Sequence, residues 1–556
     1  MNTPKPWLKN YPAGVPQEIG DPSHASLTEF LEECFDRFSN RKAVESMGKF
    51  FTYGQIDRLS KDFASYLQTL ELDRGARVAL MYPNVIEYLI AMLGTLRAGY
   101  TVVNINPLYT SRELEAQLQD SGASVLVLME NFANTYQQIA ERLTLKQVII
   151  SSPGELLGLK GHIVNWVARN IKKIVPAWNV AHTNFKDALT IGSRHPFHRP
   201  EIGLDDIAFL QYTGGTTGTS KGAVLLHRNI LSNVMQIESW LNPGLKHKPD
   251  QQLNFLCALP MTHIFALTAC ALLGIAKGAL LVLVANPRDI DGFIKLLIKH
   301  PKINIFPGVN TLFHALIHRP EFKKVKLPHL LVTIGGGMAV HKKTADHWQA
   351  LTGSPIAQGY GLSETSPVVC VNSPLEKHFT GHIGVPMPST DLVILDDDEV
   401  ELPQGTPGEI CIKGPQLMAG YWNKPEETAH CMTADGYFKS GDIGLMTEDG
   451  HIQIVDRKKD MIVVAGFKVF PNDVEDVLSQ MPGIKECAVI GVPHRKLGEI
   501  VKAYIVKSDH HITEAGVLQY CKEHLTSYKR PRKVVFIHEL PKSNVGKILR
   551  RELRNI

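Results

Sequence analysis

One stretch of eleven residues, 212–222 (YTGGTTGTSKG), limits what this chain can fold into more than any other part of it. The apolar, strand-like run 207–212 leads into it, and its four glycines allow the backbone to turn tightly and to aim several N–H groups into one concavity. Threonine and serine hydroxyls add hydrogen-bond donors, and Lys221 adds a cation. This composition is typical of a loop that binds a polyphosphate at the end of a strand.

Three other glycine-rich patterns compete with this interpretation. The loop contains no Gly-Lys-Ser/Thr, so the Walker pattern fails, and the dinucleotide pattern G-x-G-x-x-G fails as well. Residues 218–222 do match the G-x-S-x-G elbow of hydrolases, but the strand ends eight residues before Ser220, whereas the elbow runs straight from strand to helix. A hydrolase elbow and a structurally idle loop stay open as alternatives.

Length and composition limit the class of protein. A chain of 556 residues exceeds one compact core, so we expect two or more domains. Hydrophobic residues make up 44% and charged residues 21%, as in ordinary soluble proteins. The net charge of +4 is small, and no basic stretch is interleaved with aromatics, which argues against a nucleic-acid partner. The eight cysteines form no C-x-x-C pair, which favours reduced thiols in the cytoplasm.

No segment predicts a signal peptide or a membrane span. Residues 1–16 contain no apolar run. The most hydrophobic region, 253–285, is interrupted by Pro260, His263 and Lys277, and its longest uninterrupted piece, 264–276, has 13 residues. A span needs roughly 20 apolar residues. We therefore expect this region to be buried core.

Strand-like runs alternate with helical periods, which predicts an α/β fold with largely parallel strands. The helix that follows the loop is expected to begin near Arg228. The strand candidates in this part of the chain are residues 78–81, 125–128, 207–212, 280–284 and 330–334.

Five consecutive charged residues, Asp456, Arg457, Lys458, Lys459 and Asp460, lie between two apolar runs. The pattern predicts a surface turn, and both a simple solvated turn and a hinge stay open. The pattern of the following hundred residues predicts a separate domain of mixed α and β structure. Asn472 followed by Glu475 resembles a capping box at the start of a helix. The other elements expected there are strands at 487–492, 501–506 and 533–537 and a helix at 513–525.

The loop and four motifs after it resemble the acyl-adenylate-forming superfamily, which includes acyl-CoA synthetases, luciferases and peptide-synthetase adenylation domains. The resemblance covers nearly the whole chain. It implies a large multi-subdomain N-terminal α/β domain, residues 1–455, a hinge at 456–460, and a small mobile α+β domain at 461–556. It further implies ATP, Mg²⁺ and coenzyme A as cofactor and co-substrates.

The resemblance assigns roles to the residues around ATP. Tyr360 would stack on adenine, Ser363 would contact phosphate, and Glu364 would help to hold Mg²⁺, which prefers carboxylate oxygen. Asp442 would accept hydrogen bonds from the ribose hydroxyls. Ser440, where threonine is commoner in the family, is a mild departure. The remaining implied ATP ligands are Thr213, Gly214, Gly215, Thr216 (also a metal ligand), Thr217, Gly218, Lys221, Gly336, Gly337, Gly361 and Arg457.

Two motifs in the C-terminal part complete the set. Lys459 matches the family's hinge position, and Gly466 with Phe467 matches the loop that lines the pantetheine channel. Lys547 matches the catalytic lysine that bridges the substrate carboxylate and the α-phosphate. Gly546, just before it, permits a tight turn that presents the ammonium group.

Closer similarity points to the bacterial long-chain fatty acyl-CoA synthetases. The similarity implies that His263 is catalytic and that it borders the acyl site together with the glycines at 335–337. A histidine that only packs in the core stays open for His263, and a plain loop stays open for the glycines. The implied reaction forms acyl-AMP from a fatty acid and ATP, then the coenzyme A thioester. The alternatives are a ligase for aryl acids or for an acyl-carrier protein, and a non-catalytic lipid-binding protein. The segments that carry this similarity are residues 106–109, 209–212, 263–268, 286–290, 308–313 and 435–459.

Residues 163–175 have the pattern of an amphipathic helix, and Trp166 lies at its border. The opposite face carries Arg169, Lys172 and Lys173. A helix lying on an anionic bilayer and a core-packing helix with a solvated basic side both fit. We expect a cytoplasmic protein, and peripheral contact with the cytoplasmic face of the membrane stays open. The oligomeric state also stays open, and a homodimer is one possibility. The apolar face consists of Ile163, Val164, Val167, Ile171, Ile174 and Val175.

Overall fold

A computed structural model describes residues 5–213, 220–245, 251–509, 511–543, 546–554 and 556. The described residues form four β-sheets flanked by helices. The helices are Leu27–Arg37, Tyr53–Gln68, Ile86–Arg97, Ser111–Ser121, Ala133–Gln137, Leu159–Trp166, Phe185–Gly192, His227–Leu245, Ile264–Ala266, Leu273–Ala276, Ile290–Lys299, Asn310–Ile317, Lys342–Thr352, Pro425–His430, Pro471–Gln480, Glu514–His524 and Arg550–Leu553.

Two large sheets make up most of the N-terminal part, and their central strands run parallel. One has eight strands, in the order Gly420–Tyr421, Lys221–Leu226, Ile207–Thr213, Thr101–Ile105, Arg77–Met81, Val125–Met129, Gln147–Ser151 and Thr183–Asn184. The other has nine, in the order Val385–Pro386, Val368–Val371, Ile356–Gly361, Val332–Gly336, Ile305–Gly308, Asn254–Cys257, Leu280–Leu283, Lys42–Ser46 and Lys49–Thr52.

The main hydrophobic core includes side chains from both large sheets. The helix Ile86–Arg97 is buried at every one of its twelve positions. A helix without a polar face is buried in the interior of a large protein, so this helix belongs to the core. The region 253–285 is buried as expected, and its helical part contains a π-helical turn at Leu267–Leu272.

Two smaller sheets follow. The first is antiparallel, with the order Asp391–Leu395, Gly408–Lys413, Phe438–Met446 and Ile452–Arg457. The second has its own hydrophobic core and consists of Phe467–Val469, Ile462–Val464, Gly498–Lys507, Ile484–His494 and Lys533–Phe536. The large α/β part and the small α+β part confirm the expected fold class. The exact boundaries of the domains stay a prediction.

The predicted capping box at Asn472 is wrong. The helix begins at Pro471, with Phe470 as N-cap and no capping side chain of its own. The Asp456 carboxylate accepts from the Asn472 backbone N–H at 2.8 Å, and Glu475 instead accepts from the Val489 N–H and from Arg550. A carboxylate from the strand Ile452–Arg457 therefore caps this helix from outside its own sequence.

The remaining expectations need small changes. The strand expected at 330–334 is Val332–Gly336, and the helix expected near Arg228 is His227–Leu245. All eight cysteines are free thiols. Within the described ranges, no helix is both long enough and apolar enough to cross a bilayer.

Candidate active site

The ends of three strands mark the site. Ile207–Thr213 leads into the glycine-rich loop, Val332–Gly336 ends in the predicted acyl-site glycines, and Ile356–Gly361 ends just before Glu364. Ligands of open parallel sheets bind beyond the carboxyl ends of the strands. The fold therefore brings three of the predicted segments to the kind of edge where a ligand would bind.

Tyr360, Asp442 and Arg457 form a hydrogen-bonded group in which Tyr360 and Asp442 are buried and Arg457 is partly exposed. The Tyr360 hydroxyl donates to Asp442 Oδ2 at 2.6 Å, and Arg457 Nε lies 2.7 Å from Asp442 Oδ1. Strand pairing produces this arrangement, because Asp442 and Arg457 are directly opposite each other in the antiparallel sheet. Burial raises the pKa of Asp442, while Arg457 opposes that shift. Each carboxylate oxygen keeps a lone pair that could accept a further hydrogen bond.

Glu364 is buried and is oriented by a residue that the sequence did not single out. The Tyr421 hydroxyl donates to Glu364 Oε1 at 2.7 Å. Burial and the Glu364 carboxylate raise the pKa of Tyr421, so the phenol keeps its proton and remains a donor. Tyr421 lies on the edge strand Gly420–Tyr421, which pairs with Lys221–Leu226 beside the glycine-rich loop.

The glycine-rich loop closes a β-hairpin. Thr213 and Lys221 are paired residues at its two ends, and the Ser220 hydroxyl donates to the Thr213 carbonyl. Gly214, Gly215, Thr216, Thr217 and Gly218 lie outside the described residues. Antiparallel Lys221–Leu226, rather than a helix, follows Ser220, so the hydrolase elbow is wrong.

Lys221 is paired within the site. Its ammonium group forms an ion pair with Glu427 and lies 5.1 Å from the centre of the Tyr421 ring. An ion pair at the surface of this kind contributes little to stability. A phosphate group could therefore replace the Glu427 carboxylate at small cost.

Lys547 reaches into the N-terminal part of the protein. It lines a small cavity together with Leu259, His263, Phe265, Val309 and Gly337. A Cβ atom at Gly337 would lie 3.7 Å from Lys547 Cε. The turn that presents Lys547 has Gly546 at φ +80°, a conformation that favours glycine. Residues more than 200 positions apart thus meet at one place.

The environment of Lys547 makes its ammonium group easy to deprotonate. Burial, followed by the charge of Arg457, lowers its pKa to about 8, while Asp442 and Glu364 act in the opposite direction. The two carboxylates are therefore close enough to influence the lysine electrostatically. The site combines one titratable cation with two anions and an arginine, which is suited to hold a charged substrate.

His263 is the N-cap of the helix Ile264–Ala266, where its ring nitrogen Nδ1 accepts from the Phe265 N–H at 3.3 Å. Burial and the neighbouring Lys547 lower the pKa of His263 to about 3. The imidazole is therefore neutral at physiological pH. It borders the cavity and also has a structural capping role.

Gly361 is required by close packing rather than by a turn. A Cβ atom there would lie 2.0 Å from the Pro367 carbonyl oxygen. At Gly336, a Cβ atom would lie 3.0 Å from the Phe265 ring and 3.2 Å from the Gly359 carbonyl oxygen. Both glycines therefore let neighbouring segments approach closely around the cavity.

Four other predicted site residues are not among those that line the cavity beside Lys547. Ser363 begins the short 3₁₀ turn Ser363–Thr365 beside Glu364. Lys459 lies in the 3₁₀ turn Lys458–Asp460 between the two parts of the chain. Gly466 and Phe467 lie in the exposed hairpin of the small sheet, where Phe467 stacks on Tyr528 with ring centres 4.8 Å apart. The structure does not bring this hairpin to the site.

Comparison with known proteins shows the family. A model of the AMP-binding enzyme family matches residues 31–422, and a model of the AMP-binding enzyme C-terminal domain matches residues 473–547. The chain is 47% identical over 554 residues to a long-chain-fatty-acid–CoA ligase of Salmonella typhimurium, covering 99% of this chain and 98% of that protein. A long-chain-fatty-acid–CoA ligase of Bacillus subtilis is 36% identical over 568 residues, covering 100% of this chain and 98% of that protein.

Solved structures agree with this assignment. ATP-bound MatB from Rhodopseudomonas palustris superposes with a TM-score of 0.83 at 28% identity, covering 95% of this chain and 98% of that one. This chain, with its two matched regions and its full-length relatives, belongs to the AMP-binding enzyme family.

Proposed function

We propose that this protein is a long-chain fatty acid–CoA ligase that works through an acyl-AMP intermediate. The observation that carries the proposal is the position of Lys547 in one cavity with His263 and Gly337, within electrostatic reach of Glu364 and Asp442. High identity to long-chain-fatty-acid–CoA ligases along the whole chain supports the substrate class. The second candidate, activation of aryl acids or of a carrier-protein substrate, uses the same nucleotide site.

In the first half-reaction, a carboxylate oxygen of the fatty acid attacks the α-phosphorus of ATP. The bond from that phosphorus to its bridging oxygen breaks, and pyrophosphate leaves. Two anions must approach each other, so the catalytic task is to position them and to neutralise charge. Lys547 would bridge the attacking carboxylate and the α-phosphate, and Lys221 would bind the leaving pyrophosphate after exchanging its partner Glu427.

Asp442 and its partners would hold the nucleoside. The two Asp442 oxygens, fixed by Tyr360 and Arg457, would accept hydrogen bonds from the ribose hydroxyls. The Tyr360 ring would lie against adenine, and Ser363 would contact phosphate. Gly214, Gly215, Thr216, Thr217 and Gly218 would supply donors to the phosphates.

The residues present fit a Mg²⁺ ion that shares its coordination shell with ATP. Glu364 is a buried carboxylate oriented by Tyr421, and Thr216 would be a second ligand. In the part of the chain that the structure describes, no cluster of three or more metal-binding side chains occurs. Mg²⁺ is held by one or two carboxylates plus substrate phosphates in many nucleotide sites. When bound, it would neutralise phosphate charge.

In the second half-reaction, the coenzyme A thiol attacks the acyl carbonyl carbon, the bond to the AMP oxygen breaks, and AMP leaves. We propose that the small part of the chain pivots at Lys459, which withdraws Lys547 and brings Gly466 and Phe467 to line the pantetheine channel. The exposed position of that hairpin leaves it free to dock elsewhere. One nucleotide site would thus serve two reactions in turn.

An apolar binding site gives long chains an energetic advantage. Each buried methylene contributes roughly 0.8 kcal/mol, so about fourteen methylenes would contribute on the order of 11 kcal/mol before entropy costs. The acyl chain would begin at the cavity beside His263 and Val309 and continue into the apolar core.

Pyrophosphate release tests the proposal directly. Purified protein with ATP, Mg²⁺ and palmitate should release pyrophosphate and form palmitoyl hydroxamate when hydroxylamine replaces coenzyme A. Benzoate and a carrier protein in place of palmitate and coenzyme A test the second candidate. Absence of pyrophosphate with every acid offered would refute acyl adenylation as a whole.

We also propose that the segment 159–174 binds an anionic membrane surface. Five of its large apolar residues are exposed, contrary to the core-packing alternative for this helix: Leu159 (89%), Ile163 (65%), Trp166 (57%), Ile171 (61%) and Ile174 (50%). Clustered exposed apolar residues beside lysines are typical of helices that lie on anionic bilayers. Lys172 and Lys173 are exposed beside this patch.

Two polar contacts attach the segment 159–174 to the rest of the protein and leave its large apolar residues exposed. Asn165 Oδ1 accepts from the Gly154 N–H at 2.7 Å, and Arg169 forms an ion pair with the buried Glu130 at 2.6 Å. Arg169 is therefore ion-paired to the protein, while its side chain remains 51% exposed. The buried residues of the segment are Gly161 and Ala168, and its lysines are exposed together with the apolar patch.

Vesicle flotation tests the membrane proposal. Wild-type protein should float with vesicles containing about one third phosphatidylglycerol and less with pure phosphatidylcholine, because each lysine near an anionic surface contributes about 1 kcal/mol. Ile163→Asn with Ile171→Asn, and separately Lys172→Glu with Lys173→Glu, should reduce flotation. Val400→Asn, at another exposed apolar residue, is the control. Equal flotation of all variants would refute this surface.

A further inference from the structure

A chain of buried polar side chains contacts residues 257–262, which we call the wall segment. The wall segment connects the strand Asn254–Cys257 to His263, and its Leu259 lines the cavity beside Lys547. It is an irregular segment inside the protein, so its backbone groups cannot be satisfied by water and need partners. Backbone N–H groups of Val284 and His263 donate to two of its carbonyl oxygens, and several other partners are side chains outside the motifs that bind the nucleotide.

Asn84 makes three of these contacts. Its Nδ2 donates to the carbonyl oxygens of Cys257 at 2.8 Å and Leu259 at 2.7 Å, and its Oδ1 accepts from the Met261 N–H at 2.8 Å. The Asn84 side chain is 3% exposed. A single primary amide thus supplies both donors and the acceptor that this bend requires.

A second group continues from the wall segment to the phosphate-loop strand. The Tyr88 hydroxyl lies 2.9 Å from both the Met261 carbonyl oxygen and Asn104 Oδ1. Asn104 donates to Gln211 Oε1 at 3.0 Å, and Gln211 Nε2 donates to the Thr262 carbonyl oxygen at 2.9 Å. All of these side chains are buried.

The two ends of this chain of contacts adjoin the two substrate regions. Gln211 is two residues before Thr213, where the glycine-rich loop begins, and Thr262 is directly before His263. Asn104 and Gln211 are also paired residues of neighbouring parallel strands, which fixes the spacing between them. A shift of the wall segment would therefore move the acyl cavity relative to the phosphate loop.

We infer that Asn84, supported by Tyr88, Asn104 and Gln211, is a positioning residue that holds the acyl-site wall in register with the ATP-binding loop. The inference depends on the proposed function, because it assigns the cavity to the acyl end of a fatty acid. Asn84 is not one of the residues that line the cavity beside Lys547. It acts through the backbone of Leu259 and Met261.

The test uses Asn84→Asp, which keeps the shape but replaces both donors with an oxygen facing two carbonyl oxygens. The matched control is Asn304→Asp. Asn84 contacts the Cys257 end of the strand Asn254–Cys257, and Asn304 is a buried amide that contacts its Asn254 end. Asn304 accepts from the Asn254 N–H at 2.8 Å and donates to the His329 carbonyl oxygen at 2.9 Å. Both changes remove the same kind of hydrogen bond.

We expect Asn84→Asp to raise the KM for palmitate about tenfold or more and to change the KM for ATP less than about twofold, since small misplacements of a site cost up to about 10²-fold. Asn304→Asp should lower the temperature of unfolding to a similar extent and leave the ratio of the two KM values unchanged. If Asn84→Asp does not fold, Tyr88→Phe, which removes the hydroxyl that contacts Met261 and Asn104, should show the same selective effect at smaller size.

Equal KM ratios in wild type, Asn84→Asp, Tyr88→Phe and Asn304→Asp would overturn the inference and leave Asn84 a purely structural residue. Failure of the proposed function gives a different result. In that case wild-type protein itself releases no pyrophosphate with any fatty acid.

Discussion

At the scale of single residues, Lys547 belongs to the C-terminal part of the chain but lines a cavity of the N-terminal part. The other lining residues of that cavity all belong to the N-terminal part, and a Cβ atom at Gly337 would lie 3.7 Å from Lys547 Cε. A lysine near the C-terminus, beside Arg550 and Arg551, would ordinarily be a solvated surface charge. Its place in this cavity, within electrostatic reach of Glu364 and Asp442, makes it the strongest candidate for a group that acts on the substrate.

We predict that Lys547→Ala lowers the rate of adenylation by about 10² to 10³-fold or more, because it removes one charge-stabilising donor. Formation of the thioester from supplied palmitoyl-AMP should be largely retained. Pyrophosphate release measures the first half-reaction, and palmitoyl-CoA formation from palmitoyl-AMP measures the second. Equal losses in both would contradict the role assigned to Lys547.

The pKa of Lys547 predicts a pH dependence. With its pKa lowered to about 8, the side chain is a cation below that pH and becomes neutral above it. The kcat/KM of adenylation should therefore fall as the pH rises through about 8. In Lys547→Arg the guanidinium keeps its charge, so the remaining kcat/KM of adenylation should not fall as the pH rises through about 8. Parallel pH profiles of the two proteins would refute this assignment.

Tyr421 orients the Glu364 carboxylate, so Tyr421→Phe tests the metal assignment. Partners that orient a metal ligand typically account for 10 to 100-fold in metal affinity. We predict that the Mg²⁺ concentration for half-maximal adenylation rises about tenfold, at fixed ATP. Tyr437→Phe, at a tyrosine that packs against Val393, Leu395 and Cys411, is the control, and an unchanged Mg²⁺ requirement in Tyr421→Phe would contradict the assignment.

At the scale of elements, we expect the hairpin of Ile462–Val464 and Phe467–Val469 to act in thioester formation and not in adenylation. Its turn has Ala465 at φ +50° and Gly466 at φ +85°, and a Cβ atom at Gly466 would meet no atom within 4 Å. The space around Gly466 is open in this arrangement of the chain. Any crowding by a larger residue must therefore arise in a different arrangement.

We accordingly predict that Gly466→Leu leaves adenylation within about twofold and slows thioester formation at least about tenfold. The left-handed backbone at this position adds a local cost of about 1 to 2 kcal/mol, which the folded domain should tolerate. Rates of the two half-reactions, measured separately, decide the matter. Loss of adenylation alone would show that the hairpin has another role.

At the scale of the whole molecule, a short turn connects two units with separate cores. Arg550 lies 3.6 Å from both Asp456 and Asp460 and pairs with Glu475 at 2.8 Å. These contacts attach both ends of the pentad to the helix Pro471–Gln480. A rotation at the Lys458–Asp460 turn would therefore have to break the contacts that Arg550 and the Asn472 N–H make with Asp456.

Lys459→Pro should restrict that rotation, because proline fixes its own φ and restricts the preceding residue. We predict that adenylation is retained and that thioester formation falls by at least about tenfold, as measured in separate half-reactions. Lys459→Ala controls for loss of the side chain. Identical behaviour of the proline and alanine variants would show that the turn is not the pivot.

Part of the site was predictable because its chemistry is local. The glycine-rich loop, the Tyr360–Glu364 segment and the turn at Gly546 each place several functional groups within a few residues. Tyr421, Glu427 and Asn84 were not predictable in this way. They contact Glu364, Lys221 and Cys257 across 57, 206 and 173 positions, and no local pattern encodes such a meeting.

The sequence by itself determined the alternation of strands and helices, the α/β class and the motifs, because hydrophobic period and glycine placement act on neighbouring residues. The tertiary structure alone decided how these pieces face one another. The period of residues 163–175 defines an apolar side, but the anchors at Asn165 and Arg169 turn that side outward. Likewise, Asp456 rather than Asn472 caps the helix at Pro471, since a neighbouring strand supplies the carboxylate.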